Sequence, residues 1–367
     1  MKEKMNILHV VRQFHPAVGG LESYVQNMAL QQQKLGHKCA VLTLNKVFHG
    51  QEGVLPRRDI VDGLAIHRVP FVGRPRFFLP LVPRSYLKEY DVIHVHNTDG
   101  FFDFFSLMAG KKRKSIFATT HGGFFHTRNL ALIKKFYFRL ITRTLGKRYS
   151  ALVAISQNDY NVFSGVNDNL ILKPNAIVPP GDFVANGPDF VYLGRLAPHK
   201  NVAAIVRTFA RIKNDSGCTA KLHIIGPEWG VKRKDLRSLA QALGVDSDIV
   251  FHGFISPERM KEVLRNCGWF LSASSFEGFG MSMLEGMAVG LIPFVQPNES
   301  FRELIAQGKV GACVDFMSPD RAAREIQRHM KLVGESDREN ARKFALQFSW
   351  ERLAQDTIEI YRKYGTW

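Results

Sequence analysis

Short uninterrupted apolar runs alternate along this chain with longer stretches in which apolar residues recur every three or four positions. Residues 6–11 (NILHVV) form a run of strand length. After a loop holding Gly19 and Gly20, residues 21–35 place Leu21, Tyr24, Val25, Met28, Leu30 and Leu35 at helical spacing, and Gly36 can end that helix. Further strands are predicted at 38–44, 64–70, 91–96 (DVIHVH), 115–120 (SIFATT), 152–155 and 170–173. DVIHVH and SIFATT read as strands buried on both faces. Strands alternating with helices predict an α/β unit built on a parallel sheet.

The pattern restarts after a Pro- and Gly-rich stretch, 178–189 (VPPGDFVANGPD). Strands are predicted at 190–193, 221–226, 249–251, 269–272 and 291–295, with helices at 203–213 and 281–289. A last segment, 349–364, reads as one helix whose partner the pattern does not show. The chain therefore reads as two Rossmann-like units of similar size, as its 367 residues also suggest. Dehydrogenases, two-lobed binding proteins and transferases share that layout, so the site residues have to decide among them.

Charge changes the picture next. Lys and Arg outnumber Asp and Glu by 50 to 33, a formal net charge of +17. Residues 1–178 hold 25 Lys+Arg against 11 Asp+Glu, a balance of +14, which leaves +3 for the rest. An electrostatic partner should therefore dock on the first half, whether nucleic acid, anionic membrane or acidic small molecule. The four cysteines (Cys39, Cys218, Cys267, Cys313) form no C-x-x-C pair, which argues against a zinc site or disulfide framework and fits a reduced cytoplasm. The N-terminus lacks the features of a signal peptide, and no apolar window approaches the ~18–20 residues of a membrane span.

Four constellations carry candidate chemistry. Glu277-Gly-Phe-Gly-Met281 is followed by Glu285, eight positions after the first glutamate. Its glycines permit a tight turn, and the helix opening near Met281 offers free amides to a diphosphate. Two such carboxylates can accept paired hydroxyls from a sugar or ribose. The same turn also reads as an ordinary helix cap, but a carboxylate in the otherwise apolar helix MSMLEGMAVG needs a partner. Tyr192-Leu-Gly-Arg195-Leu, then His199-Lys200-Asn201, set two cations just beyond a strand's carboxyl end, where open α/β sheets bind ligands. They suit a diphosphate leaving group, or are two solvated charges. Gly19-Gly20 lacks G-x-G-x-x-G spacing, which disfavours NAD but still allows close backbone approach. His121, after SIFATT, is expected to face the cleft from a strand's carboxyl end, either to bond a substrate hydroxyl or phosphate or as a loop histidine with no role. His94 and His96 share one face of their strand and are read as structural.

The set GG…THG…YLGRL…HKN…EGFGMSMLE resembles the family 4 retaining glycosyltransferases over almost the whole chain. The opening HVVRQFHPAVGGLESYV is similar to bacterial mannosyltransferases that extend lipid-linked exopolysaccharide units from GDP-mannose. The resemblance implies a GT-B fold, two Rossmann-like domains facing a deep cleft, with the final helix crossing back to the first domain. It implies an acceptor-binding, membrane-facing domain of residues 1–178 plus about 350–367, and a nucleotide-sugar-binding domain of 179–349. By the same resemblance Glu277 contacts the donor sugar and His121 sits beside it. Arg195 and Lys200 grip the diphosphate with the amides of Phe279, Gly280 and Met281, and Gly20 lets the first lobe approach. Glu285 holds the ribose, and Phe251, His252, Gly253 and Phe254 lie near the base. No metal or other cofactor is implied beyond the nucleotide sugar. Pro174-Asn-Ala-Ile177 departs from the family's Pro-Asn-Gly pattern.

The excess bases are clustered and interleaved with apolar residues. Lys111, Lys112, Arg113 and Lys114 follow FFDFFSLMAG, and Lys134, Lys135 and Arg139 lie in the next basic stretch. They read as a docking surface for an anionic inner-membrane face, or as the solvated side of core helices. No nucleic-acid-binding motif is visible. The expected partners are thus a nucleotide sugar, a lipid-linked oligosaccharide and the membrane surface, with the protein cytoplasmic and peripheral. Rival readings are a transferase that uses a UDP-sugar (glucose, galactose or GlcNAc) on a soluble or other lipid acceptor, a nucleotide-sugar epimerase, and a non-enzymatic binding module.

Overall fold

The computed structural model of the chain describes residues 4–17, 19–48, 53–74, 77–109, 115–121, 137–216 and 218–366. It divides into two compact units, Met1–Asn175 with Trp350–Trp367, and Ala176–Ser349.

The first unit is built on an eight-stranded sheet. In chain order its strands are β1 (Asn6–Val10), β2 (Lys38–Leu44), β3 (Arg58–Val61), β4 (Leu64–Val69), β7 (Val92–His96), β8 (Ser115–Thr120), β9 (Ala151–Ala154) and β10 (Leu170–Leu172). Across the sheet they run β10-β9-β8-β7-β1-β2-β4-β3. Every pair is parallel except the antiparallel edge pair β3–β4. The intervening β5 (Phe71–Arg74) and β6 (Phe77–Pro80) form a separate antiparallel hairpin. Strand order reverses at β1, which has β2 on one side and β7 on the other, so the topological switch point lies at the carboxyl ends of β1 and β7. Every residue of β7 and β8 is buried, as their continuous apolar character requires.

The second unit repeats the scheme with β11 (Asp189–Leu193), β12 (Leu222–Ile225), β13 (Ile249–Gly253), β14 (Cys267–Ser272), β15 (Ile292–Val295) and β16 (Ala312–Cys313), all parallel, ordered β13-β12-β11-β14-β15-β16. Its switch point lies between β11 and β14. Both sheets have the Rossmann-like order, with a switch point at the carboxyl ends of their central strands.

The C-terminal helix Trp350–Tyr364 returns to the first unit. Its Ile358, Ile360 and Tyr361 are buried among Ile7, Val92 and Phe117 of the first sheet. The pattern named this helix but not its partner, because a spacing of apolar residues shows that a face is buried without showing against what.

Three features are absent from the apolar pattern. Strand β3 (RDIV) is short, half exposed and at an edge, so it carries little burial signal. The β5–β6 hairpin contains Gly73 and Pro80, residues that weaken a strand reading. The helices Glu299–Gly308, Pro319–Met330 and Glu335–Ala345 are strongly amphipathic but rich in charge.

Candidate functional site

In the second unit, the two strands that flank the switch point deliver both acidic and basic candidates. Beyond β11 the chain passes Gly194 and Arg195 and makes a single helical turn at Pro198–Lys200, closed by Asn201 in a left-handed conformation. That turn places Lys200 against the loop that follows β14. Its ammonium Nζ bonds both oxygens of Glu277, at 2.6 and 2.7 Å. The pair is largely enclosed, at 16% and 11% side-chain exposure. Two further bonds tie the loops together, from the Ser275 amide and hydroxyl to the His199 carbonyl, at 2.9 and 3.2 Å. Ser300 Oγ fixes the Glu277 carbonyl at 2.9 Å. The resemblance gives Lys200 to a diphosphate and Glu277 to a sugar; here each is the other's partner.

Arg195 does not join them. Its side chain is exposed, and its guanidinium stacks over the ring of Trp229 at 4.9 Å. Trp229 is itself 61% exposed, in the loop that follows β12. Sequence reasoning missed this residue, although an exposed tryptophan in a Gly-Pro-Glu-Trp-Gly turn beyond a strand's carboxyl end was a readable signal.

Gly280 opens the helix Met281–Met287 from a left-handed conformation, φ +99°. A Cβ there would press on Leu304 and Phe301 at 3.0–3.3 Å, so both the backbone angle and the packing call for glycine. Phe279 is half-buried and its ring meets Phe348 edge-on at 5.5 Å. Met281 is partly exposed at the helix start. The helical ladder begins with Met283 and Leu284 donating to the Gly280 carbonyl, so the amides ahead of them lie outside it.

One turn further on, Glu285 is enclosed by its apolar helix. Burial pushes its carboxyl pKa up to about 7. No side chain among the described residues bonds it. An enclosed carboxyl with a raised pKa is a candidate binding group.

The segment Phe251, His252, Gly253 and Phe254 ends β13. Asp189 Oδ2 lies 3.1 Å from His223 Nε2, and His223 Nδ1 lies 2.9 Å from His252 Nε2. Burial holds the His252 pKa below its usual range, and His223 and Arg259 add to that. Phe251 lies under Arg237 at 5.7 Å, and Phe254 is 86% exposed. Ala176, which stands where the family pattern has glycine, is buried and does not take a left-handed angle.

In the first unit, Gly20 begins the helix Gly20–Lys34, and no atom lies within 4 Å of where its Cβ would be. The neighbouring Gly19 is filled differently, since a Cβ there would meet the Glu22 carboxylate at 2.5 Å. Glu22 is buried and accepts from Gln13 Nε2 at 3.1 Å, so the helix already holds an anion in its first turn.

His121 sits at the carboxyl end of β8. Its Nε2 lies 3.4 Å from Nδ1 of His96, and the Tyr24 ring meets it edge-on at 4.6 Å. Burial lowers its pKa to about 3, so the ring is neutral at physiological pH. Behind it, His96 Nε2 lies 3.0 Å from His9 Nδ1, and His9 Nε2 lies 2.9 Å from Gln32 Oε1. His94 bonds Tyr361 Oη at 2.5 Å and Thr119 Oγ1 at 2.7 Å. Ring nitrogens of His9, His94 and His96 lie within 4.8 Å of one another, a grouping able to hold a metal ion. All six nitrogens of the three rings are already bonded within the protein.

Of the docking residues, Lys111, Lys112, Arg113, Lys114, Lys134 and Lys135 lie outside the described residues, as does the side chain of Arg139.

Comparison with known proteins adds to this geometry. A profile for group 1 glycosyl transferases matches residues 177–347, and one for Glycosyltransferase Family 4 matches residues 18–176. The chain is similar to a GDP-mannose:cellobiosyl-diphosphopolyprenol alpha-mannosyltransferase of Komagataeibacter xylinus, 32% identical over 98% of this chain and 94% of that protein. It is similar to the protein of the same name from Xanthomonas campestris, 28% identical over 97% and 96%. Among solved structures it resembles sucrose-phosphate synthase from Thermosynechococcus elongatus, with a TM-score of 0.71 at 16% identity, covering 98% of each chain. It also resembles Anabaena HepE in complex with UDP, with a TM-score of 0.72 at 15% identity, covering 98% of this chain and 100% of that one.

Proposed function

The chain belongs to the family 4 glycosyltransferases, and from that premise we propose that it moves mannose from GDP-mannose to a polyprenyl-diphosphate-linked oligosaccharide with retention at the anomeric carbon. Its being a hexosyltransferase of GT-B fold follows from family and fold together. The donor and acceptor come from the names of its relatives.

The observation that carries the reading is the pair of acids at the second switch point, one ion-paired with Lys200 and one enclosed with its pKa raised to about 7. Glu277 is paired with Lys200, and Glu285 is enclosed without a side-chain partner among the described residues. An incoming donor supplies the missing partners. The ribose hydroxyls give Glu285 donors to accept, and the sugar hydroxyls do the same for Glu277. Lys200, drawn to the diphosphate, and Arg195, lifted on Trp229, meet the charge that grows as the glycosidic bond to phosphate breaks. The acceptor hydroxyl attacks from the face the diphosphate leaves, through an oxocarbenium-like state, and gives its proton to the departing phosphate oxygen. Glu277 in this scheme binds and orients. A two-carboxylate glycosidase would instead need it as nucleophile.

In this reading the 176–349 unit holds the nucleotide sugar, and the 1–175 unit faces the acceptor and the anionic inner face of the cell membrane. Support comes from the +14 balance of residues 1–178 and from the fact that no helix among the described residues is long and apolar enough to cross a membrane.

Glu277→Ala should fold, with an unchanged circular dichroism spectrum, and lose transfer by roughly a hundredfold or more. Mannose incorporation near the wild-type rate in that variant would remove the assignment. Donor-dependent release of GDP supports the donor; release of UDP from UDP-glucose but no GDP from GDP-mannose overturns it.

A further inference from the structure

His9, His96 and His121 of the first unit form a directed chain, and its direction is set at the end opposite His121. Each ring is buried or half-buried. Burial lowers the pKa of His9 to about 4 and of His121 to about 3, and drives that of His96 well below its ordinary value. Neutral imidazoles carry one proton each, so every nitrogen–nitrogen contact has one donor and one acceptor.

The Gln32 amide breaks the symmetry. Its Oε1 faces His9 Nε2 at 2.9 Å and also receives the Cys39 thiol at 3.8 Å. A carbonyl oxygen only accepts, so His9 carries its proton on Nε2 and leaves Nδ1 as an acceptor. His96 must then donate from Nε2 across 3.0 Å and accept at Nδ1. The donor to that Nδ1 is His121 Nε2, at 3.4 Å.

We propose that Gln32, His9 and His96 are positioning residues that hold His121 as its Nε2–H tautomer, so that its Nδ1 lone pair accepts a hydrogen bond from a sugar hydroxyl and cannot donate one to phosphate. The proposal rests on the reading of His121 as a residue beside the transferring sugar. It goes further by giving that residue a fixed polarity and by locating the device that fixes it. The elements involved are the helix Gly20–Lys34, β1 and β7, which meet at the switch point of the first sheet. Tyr24 holds the His121 ring edge-on, and Trp350 of the C-terminal helix holds Tyr24 at 5.1 Å.

The test is a long-range 1H–15N correlation spectrum of the full-length protein labelled at the histidine ring nitrogens. His121 is assigned by the signal that disappears in His121→Asn. The expected result is a fixed Nε2–H tautomer for His9, His96 and His121 in the wild type. A proton on His121 Nδ1, or a rapidly exchanging mixture, overturns the proposal, and this spectrum needs no variant to fold. In Gln32→Leu the His121 tautomer should become mixed, with kcat falling roughly tenfold and donor KM within about twofold. A folded Gln32→Leu protein with the wild-type tautomer and kcat also overturns it. His121→Ala separates the two readings. Wild-type transfer in that variant would remove the catalytic reading and leave the tautomer result standing.

Discussion

Glu285 shows how enclosing a single carboxyl costs stability. Its carboxyl takes a proton in the fold between about pH 4.5 and 7, where the unfolded chain has already lost one. Stability therefore falls as pH rises through that window and stays lowered above it. Glu285→Gln removes the group that has to be kept protonated, so the variant should be more stable than wild type at pH 8 by about 1–3 kcal/mol and equal to it near pH 4.5. Chemical denaturation at the two pH values checks this. GDP should at the same time cease to raise its melting temperature, since the ribose has lost its acceptor. A variant that is less stable at pH 8 would show that Glu285 has a partner in the fold. The Glu-x7-Glu spacing announced this acid, and its apolar neighbours announced that it was enclosed. That Lys200 would spend its charge on Glu277 was not legible, because the two lie 77 positions apart and meet only when β11 and β14 become neighbours.

Elements set where these residues can stand. Gly226 ends β12 with φ +141°, and a Cβ there would come within 2.0 Å of the Gly194 carbonyl oxygen. That close approach aligns the ends of β11 and β12, and with them the loops of Arg195 and Trp229. Gly226→Ala should cost about 2 kcal/mol or more and weaken donor binding along with stability, as thermal melts with and without GDP would reveal. A melting temperature within one degree of wild type would show that the strand ends are not held there. The β5–β6 hairpin makes a second case. Val72 and Leu79 are cross-strand partners on its outer face and are 64% and 57% exposed, while Phe78 on the inner face is buried. An exposed apolar pair beside Arg74, in the half of the chain with the +14 balance, suits contact with an anionic bilayer. Val72→Asp with Leu79→Asp should leave folding and donor binding unchanged and reduce flotation with anionic liposomes. Undiminished flotation would place the contact elsewhere.

At the scale of the whole molecule the two units differ in their response to acid. His9, His94, His96 and His121 all lie in the first unit, with pKa values lowered by burial. Below pH 6.5 the unfolded chain binds protons that the fold does not, so stability drops as pH falls. The slope is up to about 1.4 kcal/mol per pH unit for each ring, until its folded pKa is reached. Among the described residues the second unit has two histidines with pKa values lowered by burial, His199 and His252, and its Glu285 works in the opposite direction, as Asp99 does in the first unit. The first unit should therefore unfold ahead of the second between pH 6 and 4, visible as early loss of hydrogen-exchange protection in β1, β7 and β8. Equal loss in both units would contradict this.

The sequence by itself determined the succession of strands and helices, the α/β class and the family, because apolar spacing and the EGFGMSMLE and GRL-x3-KN motifs are local properties. It also determined which acids and cations were candidates. Only the tertiary structure decided how they are paired and charged. Gln32 reaches His9 across 23 positions, His9 reaches His96 across 87, and Tyr361 reaches His94 across 267. A hydrogen bond's direction and a buried group's protonation depend on what surrounds it on all sides. Those surroundings come from strands that the chain order separates and the sheet order joins.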